Sequence, residues 1–205
     1  MMKILLTSFE PFSVYTENSS WVVAEQVTTR GVEGVDIALE QLPVSFTRAA
    51  VALRELVARH QPDIVVMLGQ SAASDCVRLE RVALNLMDSK NGDSDGYTPN
   101  EEVINSAAPL ALMTTLPIKQ LRSAIESQGI AVKISNSCGL YVCNRLYYEA
   151  LLICQEQKAL QAIFVHLPLY EGQSNPNNKT TMPLSTMVDA IVTLINELYD
   201  QSRKI

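Results

Sequence analysis

Histidine is scarce. The 205 residues include two, His60 and His166, so any imidazole chemistry falls to one of them. Cysteine is nearly as rare, and Cys76, Cys138, Cys143 and Cys154 show no paired spacing. That excludes a disulfide scaffold and, with so few histidines, a structural zinc set, so no metal is expected. Positive charge is in deficit. The 16 Lys and Arg against 22 Asp and Glu leave a net charge of -6, which argues against nucleic acid or an anionic membrane as a partner. No apolar run approaches the roughly 20 residues of a membrane span. Met1-Met2-Lys3 leads straight into Ile4-Leu5-Leu6-Thr7 with no apolar leader, so a reducing, cytoplasmic setting is expected. A Gly-rich phosphate loop and a basic cluster are also missing, and no cofactor is implied.

What is present is a core. Hydrophobic residues make up 47% and charged residues 19%, a globular balance that suits one domain over residues 1–205. Strands are expected at 3–8, 35–42, 63–69, 76–86, 131–135 and 162–167. Ile64-Val65-Val66-Met67-Leu68 reads as a central strand buried on both faces. Helices are expected from Ser19 or Ser20, from Ser45 or Thr47 to Gln61-Pro62, over 117–128, from Cys143 to about Lys158, and from Met182 or Pro183 onward. The polar segment 88–105, with Gly92, Gly96 and Pro99, reads as a long surface loop. This alternation implies an α/β/α sandwich around a central mixed, largely parallel sheet.

The chemistry gathers around Ile134-Ser135-Asn136-Ser137-Cys138-Gly139-Leu140-Tyr141-Val142-Cys143-Asn144, a strand, a polar turn and a helix start. A thiol at a helix N-terminus meets free N–H groups and the positive end of the dipole, which favour thiolate and would hold an oxyanion. The alternative for Cys143 is a small buried hydrophobe. His166 ends an apolar strand at a Pro turn, 23 residues beyond Cys143, so the two can lie on adjacent strand ends. It is either an imidazole base or a core-edge ring bonded to backbone. His60, in Arg59-His60-Gln61-Pro62, reads as a solvated helix end. Glu80 stands in an apolar extended run and needs a partner there. It either orients the imidazole or pairs with Arg78 or Arg81.

Taken together, these motifs resemble the pyroglutamyl peptidase I family of cysteine peptidases. The resemblance covers nearly the whole chain. It rests on Ser8-Phe9-Glu10-Pro11-Phe12, Gln41-Leu42-Pro43-Val44, Leu79-Glu80-Arg81-Val82-Ala83-Leu84-Asn85, Thr115-Leu116-Pro117, the Cys143 turn and Val165-His166-Leu167-Pro168, in the family's order. It implies Cys143 as nucleophile, His166 as base then acid, and Glu80 as the group orienting His166. It further implies a pocket for the neutral 5-oxoproline ring, with Phe9 and Phe12 clasping it, Tyr141 and Val142 in its wall, and the backbone of Gln70 lining it. Peptides with an N-terminal pyroglutamate are the implied partners, and a homodimer or homotetramer the implied assembly. The sequence also departs from the family pattern. Ser8 and Ser13-Val14 replace glycines, Asn18-Ser19-Ser20 replaces Asn-Pro-Ser, and Ser74-Asp75 replaces Gly-Arg. Lys90, ten residues past Glu80, stands where the family has an Arg thought to help at the site. An alternative is therefore a weakened paralogue that binds blocked N-termini without efficient cleavage.

Overall fold

The computed structural model describes residues 1–203. In chain order the elements are β1 (Met2–Phe9), α1 (Ser19–Arg30), β2 (Val35–Leu42), α2 (Arg48–His60), β3 (Ile64–Gln70), β4 (Val77–Glu80) and β5 (Val82–Leu84). They continue with β6 (Ala111–Met113), α3 (Ile118–Ser127), β7 (Val132–Ser135), α4 (Val142–Glu156), β8 (Gln161–Leu167), β9 (Leu169–Tyr170), β10 (Thr181–Met182) and α5 (Leu184–Ser202).

Six strands form the main sheet in the order β2-β1-β3-β8-β4-β7. The first four run parallel, β4 pairs antiparallel with β8, and β7 runs parallel to β4. The expected mixed, largely parallel sheet is therefore present. Strand alternation builds the two cores. Ile4, Leu6, Val66, Leu68, Leu79 and Val165 meet α1, α3 and α5 on one face. Leu5, Val65, Met67 and Phe164 meet α2 and α4 on the other. All seven residues of β3 are buried, as its uninterrupted apolar run implies for a strand covered on both faces.

Helix starts follow local chemistry. Asn18 caps α1 by accepting from the Ser20 N–H at 3.1 Å, and Gly31 ends it at φ 69°. The Ser45 hydroxyl accepts from the Arg48 N–H at 3.1 Å at the start of α2. Three differences from the sequence reading bear on the site. The run 76–86 is not one strand: it breaks at Arg81, and β5 leaves the main sheet to pair antiparallel with β6, which the sequence pattern did not reveal. The strands that lead to Cys143 and carry His166 are not neighbours, because β4 lies between β7 and β8. And 171–181 is not loop throughout, since Thr181 joins Met182 in β10 beside β9. Among the described residues no helix is long and apolar enough to cross a membrane.

Candidate active site

The β4–β8 register builds the first half of the site. Arg78 lies opposite His166, and Glu80 opposite Phe164. Side chains two apart on a strand share a face, so Arg78, Glu80 and His166 gather on the α4 side of the sheet. His166 Nδ1 and Glu80 Oε1 are 2.8 Å apart, with Glu80 fully buried and His166 6% exposed. A carboxylate only accepts, so Nδ1 donates, and Nε2 keeps its lone pair for a proton. The Phe164 ring, 4.8 Å from the imidazole, supports it from within the core. The Arg78 guanidinium lies 3.5 Å from the same Glu80 oxygen, so the carboxylate has both partners that the sequence left as alternatives. Arg81 turns away to Asn136.

The second half is the N-terminus of α4. Tyr141 is its extended N-cap residue, and no side chain caps the helix. The N–H groups of the first turn thus have no partner within the helix. Cys143 is the second helical residue. Its position is fixed by neighbours on either side. The Asn144 amide accepts from Leu84 N–H at 2.8 Å and donates to Leu84 and Leu86 carbonyls at 2.9 Å each, which ties the helix start to β5. One turn on, Tyr147 donates to the Glu80 carbonyl at 2.9 Å.

Gly69 supplies the floor. A Cβ there would sit 3.3 Å from the Cys143 sulfur and 2.8 Å from the Phe164 ring, so only glycine leaves this space. Gly69 is also the register partner of His166 on β8. Thiol and imidazole therefore flank the same backbone pair. Burial pushes the Cys143 thiol up to about 12, the Glu80 carboxylate pushes the same way, and the residue's own N–H opposes them. Here the structure corrects the expectation of a helix-stabilised thiolate. Desolvation opposes the helix terminus and favours the thiol over the thiolate, even though Cys143 is only part-buried.

Two residues before Cys143, Tyr141 opens onto a cavity of about 490 Å³ that is also lined by Phe12, Ser13, Ser89, Asn91, Gly92, Asp93 and Ser94, and not by Glu80, Cys143 or His166. Tyr141 donates to the Gly92 carbonyl at 3.0 Å and packs edge-on against Phe46. Asp93 holds the loop in place by accepting from the N–H groups of Phe46, Asp95 and Tyr97.

The family model described as Pyroglutamyl peptidase matches residues 2–201. The chain belongs to this family. The pyrrolidone-carboxylate peptidase of Bacillus licheniformis is 32% identical over 202 residues, 97% of this chain and 94% of that one. The one from Thermococcus onnurineus is 36% identical over 195 residues, 95% and 97% of the two chains. Among solved structures, pyrrolidone carboxyl peptidase from Thermococcus litoralis superposes with a TM-score of 0.93 at 31% identity, covering 100% of this chain and 96% of that one. Pyroglutamyl peptidase I of Bacillus amyloliquefaciens gives a TM-score of 0.90 at 31% identity, covering 95% of each.

Against the pyroglutamyl peptidase pattern, the nine residues singled out in the sequence separate. Glu80, Cys143 and His166 come together as described. Phe12 and Tyr141 line the cavity. Phe9 and Val142 do not line it; they are buried in the core at 3% and 1% exposure, and the Phe9 ring lies 6.4 Å from the Phe164 ring that packs on His166. Gln70, expected to line the pocket through its backbone, is absent from the lining, and its carboxamide oxygen is taken by Ser19 N–H at 2.8 Å and Gln173 at 2.7 Å. Lys90 is exposed and absent from the cavity lining, although Ser89 and Asn91 on either side belong to it. Ser13 holds φ 57°, the left-handed region, which explains why the family pattern has glycine there. Ser8, another replaced glycine, bonds Ser20 at 2.7 Å. Gly69, Asn144 and Tyr147 escaped the sequence reading. The signal for Asn144 was a polar residue next to the thiol in a helix otherwise apolar on that side.

Proposed function

We propose that the protein is a cysteine omega-peptidase that removes pyroglutamate (5-oxoproline) from the N-terminus of peptides. The observation that carries the reading is the buried 2.8 Å Glu80–His166 bond beside a thiol seated on Gly69. Cys143 attacks the carbonyl carbon that joins the ring to the peptide. Its proton passes to His166 Nε2 as the S–C bond forms, because the thiol does not ionise alone near neutral pH. Glu80 fixes the imidazole tautomer and stabilises the imidazolium. The free N–H groups at the start of α4 receive the oxyanion. His166 then gives its proton to the leaving amine as the C–N bond breaks, leaving a thioester. Water, deprotonated by His166, attacks the thioester and releases 5-oxoproline with the thiol restored.

In the cavity the rings of Phe12 and Tyr141 offer the apolar contact, and Ser13, Ser89, Asn91 and Ser94 the hydrogen-bonding groups, that a small neutral lactam takes without a countercharge. The match over residues 2–201 supports one catalytic domain over the chain. A cytoplasmic location and a homodimer or homotetramer remain part of the proposal. A chromogenic pyroglutamyl amide tests the reaction. Wild-type protein releases the amine, and Cys143→Ser loses activity by on the order of a thousandfold or more while keeping its fold. Full activity in purified Cys143→Ser would sink the mechanism. Binding of the amide by wild-type protein with no release would favour the weakened paralogue.

A further inference from the structure

Arg78 lies at the centre of the site without touching the cavity. One terminal nitrogen, Nη2, donates to Ser135 Oγ at 2.8 Å and to the Ser137 carbonyl at 3.1 Å. Those two bonds use both of its hydrogens. The same nitrogen is 3.5 Å from Glu80 Oε1, so it acts on the carboxylate as a charge and leaves the hydrogen bond to His166. Arg78 Nε and Glu80 Oε2 are both buried and have no hydrogen-bond partner among the described residues. A carboxylate so placed is costly unless a countercharge offsets it. Ser135 and Ser137 belong to the end of β7 and the turn that delivers Cys143 to α4.

We propose that Arg78 is a positioning residue of the reaction: it couples the Glu80–His166 pair to the nucleophile's turn and supplies the cation that faces that pair.

The inference rests on the catalytic reading above. Its electrostatic half follows from charge alone. Removing a cation beside a carboxylate–imidazole pair makes the pair bind its proton at higher pH, whichever member carries it. The other titratable groups facing the pair are Cys143 and Tyr147 from α4 and Cys138 from the turn. Burial raises all three, so they stay neutral across the working range, and Arg78 is the cation held against the pair. The mechanical half follows from its bonds to Ser135 and Ser137, which a shorter or uncharged side chain cannot reproduce.

The test compares Arg78→Met with Arg78→Lys in the full chain. For Arg78→Met, the acid limb of the kcat/KM profile moves up by about half to one pH unit. Its kcat falls by about tenfold while KM stays within about twofold. For Arg78→Lys, the acid limb returns toward wild type while kcat stays reduced, because an ammonium keeps the charge but not the planar fork. In a His60→Gln background, one imidazole remains, and its NMR titration reads His166 without turnover. That titration rises in Arg78→Met by the same amount as the acid limb. An unmoved acid limb together with an unmoved His166 titration overturns the proposal. So does a loss of kcat that only tracks a loss of folded protein by circular dichroism. If wild-type protein fails to hydrolyse the amide, the catalytic reading falls, and the His166 titration still decides the role of Arg78.

Discussion

Gly69 carries a constraint that no neighbouring residue shares. It completes an apolar strand, faces the thiol and pairs with His166 across the sheet. Gly69→Ala would force a methyl into the Phe164 ring and against the sulfur. The expected outcome is a loss of about 1–3 kcal/mol in denaturant unfolding, with kcat falling more than folding does. Wild-type kcat in a folded Gly69→Ala protein would show that the thiol has room to spare. At this scale the sequence singled out residues that the structure places close together: Glu80 bonds His166, and the Cys143 sulfur faces the Gly69 that pairs with His166. With two histidines and one at a strand end, His166 stood out, and Cys143 followed from the turn. Phe9, Phe12 and Lys90 were harder. An aromatic at a strand end reads the same whether its ring turns into the core, as Phe9 does, or lines a cavity, as Phe12 does. A charged residue in a loop gives no sign of direction, and Lys90 points to solvent while its neighbours line the cavity.

Among the elements, α4 shows how a helix start is fixed without a capping side chain. Tyr141 offers no cap, and Asn144 does the anchoring instead through three bonds to Leu84 and Leu86. Asn144→Ala leaves those backbone groups without partners in a buried setting. It should cost about 2–3 kcal/mol in stability and lower kcat by letting the first turn drift from β5. Equal stability to wild type in a denaturant titration would mean that the backbone finds other partners. The same strand explains a limit of sequence reading. Residues 76–86 read as one extended run with apolar residues recurring along it, yet Arg81 ends one sheet pairing and β5 begins another. Periodicity reports which face is buried; it carries no record of which strand lies alongside. Helices, whose partners are internal, were legible to within a few residues.

For the molecule as a whole, alternating strands and helices led directly to the two-sided sheet, because each buried strand needs helices on both faces. Strand order was not legible, nor which pair runs antiparallel, and the site depends on both. Burial also sets a pH response. Cys143 and Cys154 are raised from 9.0 to about 12 by burial. Each group's folded value lies above its unfolded one, so its contribution to stability is complete below about pH 9. That contribution drains away as pH rises toward 12, where the unfolded chain has released protons that the folded one still holds. Tm should therefore fall between pH 9 and 12, and Cys143→Ala with Cys154→Ala should flatten part of that fall. A slope identical to wild type in the double variant would place the alkaline loss elsewhere.

Glu80 and His166 are separated by 86 positions along the chain and meet only across the antiparallel β4–β8 seam. Before β8 can be placed, the chain must complete β7 and α4. On the proposed mechanism, a chain emerging in order from N- to C-terminus thus carries its nucleophile, Cys143, before its base, His166. Through that interval the thiol has no imidazole to take its proton, and an ordinary cysteine is mostly protonated near neutral pH. The seam works as an arming step, so hydrolytic power appears only once the sheet is closed.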